Sequence, residues 1–455
     1  MSTTPTTPTT PATPATPATP APLLHPVPDR WSLHSYYTLC PYAPDGSDRL
    51  LVSGADLATR TGEIIILGPA NADGCRAIET RFPAGPVNTA YWHTGYWQTW
   101  SPDARAIYFQ GGSLTSPRIR RHDLATGVTT EIGGDMEGAP PDGEPILSGL
   151  LGMLYAAGYG DGRYKPDTAP VPFQARDRHG LFEYRFPDSP GPGLWTPGSK
   201  PGEARLRLSI NDVLQKLPAA TRDRIRATDR ELAARLDARF ASRPASLLAS
   251  RPGADEAATL MLYCVRWTRD ARRFLFFFGN HCVVKERGEP KLTYILTADR
   301  SLDEIHIALD FSYERRGVHW SWQPDGDHLI GYGPDPADPG RQCLAEVRYD
   351  GTGYRKLSDH ASGGHPSVSP LDPDLIVTDE GTATGGAVLF ISRRTGQTIR
   401  RIELPKFIGD REPPGRNPLR ICHHPVFNHR GDKVLINTLP DANAVLAEIT
   451  PPVLN

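Results

Sequence analysis

The sequence has little of several features that define large classes of protein. No apolar run in its 455 residues approaches the roughly 18 to 20 residues that cross a bilayer as a helix. Lys and Arg number 50 against 52 Asp and Glu, and the net charge of −2 excludes a global attraction to nucleic acid. The six cysteines have no disulfide-framework spacing, so we expect free thiols or a metal ligand. We therefore expect neither a membrane span nor a nucleic-acid partner.

The N-terminal segment also lacks targeting features. Its first 22 residues are almost entirely Thr, Pro and Ala, without the cationic and apolar regions of a secretory signal. Such a composition cannot bury an apolar core, so we predict a disordered tail over residues 1–30. We expect a cytoplasmic protein, and a monomer.

Glycine and proline are abundant, with 43 and 46 residues, and many occur in one repeated phrase. The clearest copy is Val318–Gly326, which ends in Gln-Pro-Asp-Gly and is followed by an apolar run. Pro, Asp and Gly favour a tight turn, and the short apolar runs are typical of buried strands. Related copies of this phrase occur at Tyr42–Gly46, Trp100–Asp103, Trp267–Asp270, Val368–Pro370 and Phe427–Gly431.

The repeat predicts an all-β fold, a seven-bladed β-propeller. The turn residues Asp270 and Asp325 lie 55 residues apart, and Asp325 and Asp372 lie 47 apart, which suits four-stranded blades with loop insertions. A β-sandwich is the alternative, but sandwiches do not repeat a hairpin at this period. The propeller is predicted over residues 31–455, with blades near 36–70, 92–133, 258–310, 315–357, 363–402 and 420–450 and a degenerate blade within 146–210.

A helical insertion interrupts the repeat over residues 211–250. Ile225, Leu232, Leu236 and Phe240 recur at roughly helical spacing, and Asp212 can cap the first turn.

One position of the repeat holds a histidine in three blades. His319 lies three residues before Trp322, and the equivalent residues are His365, His424 and, in the fourth blade, Cys264. Because the first strand of a blade is innermost, these side chains are predicted to converge in the central channel. Three imidazoles and a thiolate suit a structural Zn²⁺ site, with Mn²⁺ or Ca²⁺ also considered. Cys422 is a rival fourth ligand, and hydrogen bonding of the histidines to blade backbones is the alternative to metal binding.

Two loops carry candidate substrate-binding groups. Asn88–Trp100 is rich in aromatic residues and contains His93; it suits either a carbohydrate platform or an aromatic plug. Tyr155–Lys165 alternates glycine with tyrosine and cations, and Arg176 and Arg178 follow. His, Tyr and Arg at one mouth of the channel suit β-elimination on a uronate. Arg neutralises the carboxylate, His or Tyr removes the C5 proton, and a Tyr can protonate the leaving oxygen.

These phrases together resemble the oligogalacturonate-lyase-like superfamily, and most of all its seven-bladed ulvan and rhamnosyl-glucuronate lyases. The resemblance rests on Gly364-His365-Pro366, His424–Phe427, Trp92–Gly95 and Gly180–Phe182, and covers about residues 35–450 without the insertion. It implies a polysaccharide lyase that cleaves a uronic-acid glycan, often with a bound metal.

The resemblance implies His93 as the base, Tyr159 as the acid and Arg178 as the carboxylate neutraliser, with Tyr155, Tyr164 and Arg176 as substitutes. Oligogalacturonate lyases carry a Gln and paired His as manganese ligands near the sixth-blade phrase, and Ser362–Ser367 has His365 but lacks the Gln and the second His. This departure argues against a pectate-type manganese mechanism.

Two further functional classes remain open. A non-catalytic propeller could bind protein or glycan partners, although regular Trp-Asp signatures are lacking. A glycosidase would need two carboxylates, and no pair stands out in the loops.

Overall fold

The computed structural model describes thirteen stretches of the chain. They are residues 22–87, 94–113, 116–149, 176–177, 179–186, 205–240, 257–258, 260–280, 289–313, 315–381, 385–404, 421–440 and 444–454.

The strands of these stretches form seven antiparallel sheets in chain order, which confirms the seven-bladed β-propeller. The first strand, β1 (Leu23–His25), belongs to the last blade. Blade 1 is β2 (Trp31–Leu33), β3 (Leu50–Asp56), β4 (Thr61–Leu67) and β5 (Ile78–Pro86). Blade 2 is β6 (Thr99–Trp100), β7 (Ala106–Ser113), β8 (Ser116–Asp123) and β9 (Thr129–Gly133). Blade 3 is β10 (Ile146–Gly149), β11 (Gly180–Tyr184) and β12 (Arg205–Ser209).

The second half of the chain is more regular. Blade 4 is β13 (Met261–Trp267), β14 (Arg273–Gly279), β15 (Thr293–Asp299) and β16 (Ile305–Asp310). Blade 5 is β17 (Val318–Trp322), β18 (His328–Asp335), β19 (Asp338–Arg348) and β20 (Arg355–Ser358). Blade 6 is β21 (Ser367–Val368), β22 (Leu375–Gly381), β23 (Gly386–Ser392) and β24 (Thr398–Leu404). Blade 7 is β25 (Val426–Phe427), β26 (Val434–Thr438) and β27 (Val445–Ile449), completed by β1.

Strand β1 closes the ring, which corrects the predicted extent of the tail. It pairs antiparallel with β27, with Leu24 opposite Ala447, so residues 23–25 belong to the propeller and not to a tail of 30 residues. Buried Glu448 accepts a hydrogen bond from Tyr42 at 2.6 Å and pairs with His25 at 3.1 Å and Arg76 at 2.8 Å. This network ties the two ends of the chain together. Residues 1–21 lie outside the described stretches.

Blade 3 is followed by two helices, which confirms a helical insertion over its described part. Helix α1 spans Ile210–Lys216 and helix α2 spans Ala219–Phe240. The predicted cap was wrong in detail: Ser209 is the N-cap, and Asp212 is its reciprocal partner in a capping box. Ile225 and Leu232, two of the residues at helical spacing, are buried. Neither described helix combines the length and apolar character that crossing a membrane requires.

The inner edge of blade 1 departs from the repeat. Strand β2 ends at Leu33, and pairing resumes only at the Tyr42–Leu50 bridge. The residues between them, 34–41, form an inserted segment that we call the channel plug. Its Tyr36 and Tyr37 are buried against Trp97 from the segment before β6. The plug therefore fills part of the central channel.

Candidate functional site

The histidine position has an unusual backbone conformation in several blades. Cys264, His319 and His424 have φ values of 57°, 56° and 47°, and Trp97 of blade 2 has 54°. Positive φ is uncommon for residues other than glycine. Register shifts interrupt pairing at this point in blades 4 and 5, and such bulges redirect side chains. The shared conformation supports treating these residues as equivalent.

Three of the predicted metal ligands meet in the channel. The imidazole ring of His365 lies 4.0 Å from that of His319 and 4.3 Å from that of His424, between ring centroids. His365 is 6% exposed and His424 is fully buried, whereas His319 is partly exposed. Histidines from blades 5, 6 and 7 thus form one cluster that reaches toward solvent through His319.

Cys422 is the cysteine whose position best matches this cluster. Ligand atoms of His365, Cys422 and His424 all lie within 4.8 Å of one another, a spacing that could hold a metal ion. Among the described residues, neither His319 nor Cys264 belongs to that group. Cys264 packs instead in an apolar cluster with Tyr263 and Phe277. The geometry favours the rival ligand Cys422 over Cys264.

A buried carboxylate orients the cluster. Asp379, at the end of β22, accepts hydrogen bonds from the backbone N–H of His365 at 2.7 Å and from its Nδ1 at 2.9 Å. It also accepts the backbone N–H of His424 at 3.3 Å. Burial would raise the pKa of Asp379, but the charge and hydrogen bonds of His365 outweigh it and hold that pKa well below its ordinary value. With Nδ1 bound to Asp379, Nε2 of His365 is left as the ligand atom, an arrangement typical of metal-bound histidine.

His319 is held in a similar way. Its Nδ1 donates to the backbone oxygens of Gly363 at 2.7 Å and Gly364 at 3.0 Å. Burial and the neighbouring His365 lower the pKa of His319 well below its ordinary value. Its imidazole is therefore neutral at neutral pH, as a metal ligand must be. The predicted hydrogen bonds to blade backbone thus occur at His319, and they are compatible with metal binding through Nε2.

The channel plug adds residues that the sequence did not identify. The Tyr36 ring lies 4.9 Å from His424, and the Tyr37 ring lies 5.0 Å from His365. His34 lies next to them, and burial lowers its pKa to about 3. The plug therefore forms the floor of the histidine cluster. Its place in an interrupted strand hid it from the repeat alignment.

The predicted catalytic residues His93, Tyr159 and Arg178 lie outside the described residues, as do Tyr155 and Tyr164. Arg176, the substitute for Arg178, is described and is 1% exposed. Its guanidinium makes two hydrogen bonds to Asp229 of helix α2, at 2.9 and 2.7 Å. Arg176 is thus committed to anchoring the helical insertion and does not face a substrate.

The described part of the aromatic segment forms a plug and not a platform. Tyr96 and Trp97 are 5% and 4% exposed, and the Trp97 ring lies 5.3 Å from Tyr36. Tyr91 and Trp92 lie outside the described residues.

Comparison of the fold finds oligogalacturonate lyases among similar solved structures. One, a complex with manganese, superposes with a TM-score of 0.55 at 13% identity, covering 94% of this chain and 92% of that one. A second, from Vibrio parahaemolyticus, gives 0.54 at 13% identity, covering 93% and 92%. A prolyl endopeptidase gives 0.51 at 10% identity, with 93% of this chain on 47% of that one. No family model and no curated protein sequence matches the chain. At these identities the likeness establishes the propeller fold.

Proposed function

We propose that this protein is a lyase that cleaves uronate-containing oligosaccharides by β-elimination. The observation that carries the proposal is the cluster of His365, His424 and Cys422 in the channel, in a fold that superposes on oligogalacturonate lyases over 93 to 94% of the chain. A propeller serving only as a scaffold has no need of imidazoles and a thiol gathered around one point. The resemblance of the His-Pro phrases supports the same reaction class.

The cluster is proposed to hold a divalent cation. His365, His424 and Cys422 would be its ligands, and His319 would supply a fourth from the exposed side. A thiolate with imidazoles favours Zn²⁺, whereas Mn²⁺ prefers oxygen ligands. With four protein ligands the site would be closed, so the cation would act on a substrate carboxylate through its positive charge and would not coordinate it. This donor set differs from the Gln and paired His that the family resemblance implies for manganese.

The chemistry is assigned to the loops that the sequence singled out. His93 would take the proton at C5 of the uronate, and Tyr159 would give a proton to the departing oxygen at C4. Arg178 would neutralise the carboxylate and so make the C5 proton more acidic. The bond from C4 to the leaving oxygen breaks as the C4–C5 double bond forms. These three roles rest on sequence and resemblance.

Ultraviolet absorbance during incubation with uronate oligosaccharides tests the proposal. A lyase produces a conjugated unsaturated uronate that absorbs, whereas a hydrolase or a binding protein does not. The panel should include ulvan, glucuronan, pectic and rhamnosyl-glucuronate substrates. Absorbance should rise with at least one of them, and His93→Ala should abolish the rise without unfolding the protein. No rise across the panel would favour the alternative, a non-catalytic propeller that binds protein or glycan partners.

A further inference from the structure

A cavity lies at the turns that follow the inner strands, toward which those strands run from the histidine cluster. It has a volume of about 400 Å³ and is lined by residues of the inner-strand turns, among them Pro102, Pro324 and Pro370. His319 precedes Pro324 by five residues, and an extended strand of that length spans at most about 17 Å. Tyr37, whose ring contacts His365, also lines this cavity. The plug therefore contacts both the cluster and this cavity, here called the far cavity, and none of the proposed metal ligands lines the cavity.

The far cavity has a polar ring set by the repeat. Thr99, Arg266, Ser321 and Ser367 all line it, and each lies three residues before the turn position held by Pro102, Arg269, Pro324 or Pro370. They occupy equivalent places in blades 2, 4, 5 and 6, so they surround the channel at one level. Three of the four are hydroxyl side chains, and the fourth is a cation.

The charges at the far cavity are of one sign. Arg266 and the exposed Arg269 line it together with His429, and no Asp or Glu does so among the described residues. Arg269 donates to the backbone oxygen of His429 at 2.9 Å. An anion entering the cavity would thus meet two guanidinium groups and no opposing carboxylate.

Arg266 is a buried cation whose hydrogen-bond partners are uncharged. It is 7% exposed and donates to the hydroxyl of Tyr37 at 3.2 Å and to the backbone oxygen of Trp320. Its guanidinium carbon lies 5.1 Å from the Tyr36 ring centroid and 5.6 Å from that of Tyr37. Among the described residues no carboxylate lies within 4.0 Å of it, although Glu137 acts at longer range. Buried charges are ordinarily paired with an opposite charge, so a bound anion would complete this site.

We propose that the far cavity binds a small hydroxylated carboxylate, the size of a single uronate. Arg266 and Arg269 pair with its carboxylate, and the hydroxyls of Thr99, Ser321 and Ser367 bind its hydroxyl groups. A guanidinium matches the planar geometry of a carboxylate, and the volume lies within the range of about 300 to 1,000 Å³ typical of small-molecule sites. The proposal does not depend on lyase activity, because none of the proposed ligands of the cluster lines the far cavity.

Titration calorimetry on the full chain tests this site, with D-glucuronate, D-galacturonate, D-glucose and inorganic phosphate as ligands. One uronate or both should bind with one-to-one stoichiometry, while glucose and phosphate should bind far more weakly. Arg269→Ala should weaken uronate binding about tenfold or more, the usual effect of losing a hydrogen bond to a charged group. Arg272→Ala is the matched control, because this exposed arginine pairs with Asp270 and Asp327 outside the cavity; it should leave binding unchanged. Ser367→Val should also weaken uronate binding. Because this substitution removes only a hydroxyl group, it leaves the charge of the cavity unchanged.

Several results would overturn the proposal. These are no uronate binding, equal binding of glucose, phosphate binding as tight as uronate, or uronate binding unaffected by Arg269→Ala and Ser367→Val. The last result would place any bound uronate elsewhere, for example at the histidine cluster. If elimination is never detected but uronate binding depends on Arg269, the lyase proposal fails and the far cavity stands.

Discussion

Replacement of Asp379 by Asn tests how the cluster is built. Asp379 receives the backbone N–H and Nδ1 of His365 at 2.7 and 2.9 Å, and the backbone N–H of His424 at 3.3 Å. An Asn keeps one acceptor oxygen but presents an NH₂ group where the second oxygen stood, and it carries no charge. His365 would lose the contact that fixes its tautomer and its ring orientation.

The expected loss of metal affinity is about 10- to 100-fold, as for other carboxylates that hydrogen-bond a metal-bound histidine, or about 1.4 to 2.7 kcal/mol. Without metal, losing the charge-assisted bond should lower the free energy of unfolding by about 1.5 to 3 kcal/mol. The pKa of Asp379 is depressed in the folded protein. Its contribution to stability is therefore present above the unfolded pKa of about 3.9 and is lost as pH falls through the folded pKa. The difference between variant and wild type should shrink in acid.

Competition with a chromophoric chelator measures Zn²⁺ affinity, and urea unfolding measures stability. Glu380→Gln is the matched control, because the adjacent Glu380 pairs with His360 and Arg401 and not with the cluster. The reasoning would be refuted if Asp379→Asn bound Zn²⁺ as tightly as wild type while remaining folded, or if Glu380→Gln weakened the metal equally.

Three further predictions concern the ligand choice and the buried ion pairs. Cys422→Ser should reduce bound Zn²⁺, measured by elemental analysis, far more than Cys264→Ser; the opposite order would restore Cys264 as the ligand. Glu448→Gln should destabilise the closed ring by on the order of 3 kcal/mol at neutral pH, because His25, Tyr42 and Arg76 outweigh burial and lower the pKa of Glu448 to about 2. That stability is present above the unfolded pKa of about 4.3 and lost as pH falls toward 2. The free energies of unfolding of wild type and Glu448→Gln should therefore converge in acid, and a difference that stays constant with pH would contradict the prediction. Asp229→Asn removes the buried ion pair between Asp229 and Arg176 and should cost about 3 to 5 kcal/mol, whereas Asp310→Asn, in a half-exposed pair with Arg224, should cost about 1 kcal/mol or less; equal urea midpoints would contradict this difference.

The repeat phrase predicted the propeller because turn chemistry is local. Pro, Asp and Gly favour a hairpin turn wherever they occur together, so the phrase around Trp322 and its copies predicted the positions of six blades. The turn of blade 3 was missed although Pro141-Asp142-Gly143 is present, because no aromatic residue precedes it. The pairing of β1 with β27 joins segments at opposite ends of the chain, and no local pattern reports such a contact.

The site was predictable only where it follows the repeat. His319, His365 and His424 share one position and were found by alignment. Asp379 comes from the second strand of its blade, and Tyr36 and Tyr37 come from an insertion, so alignment of the first strands could not reach them. Cys422 lies two residues before His424, and its distance to His365 depends on how two blades pack. Arg266 lies two residues after Cys264 on the same inner strand, so alignment of the first strands also places it in the channel.

The most direct test of the central claim is the rate of unsaturated uronate formation before and after chelation of the purified protein. We predict that chelation abolishes the ultraviolet signal, that Zn²⁺ restores it, and that His365→Ala cannot be restored. His328→Ala, altered at a partly exposed histidine at the start of β18 that pairs with Asp325, should behave as wild type. Elimination that persists in the metal-free protein, or in His365→Ala, would contradict the account.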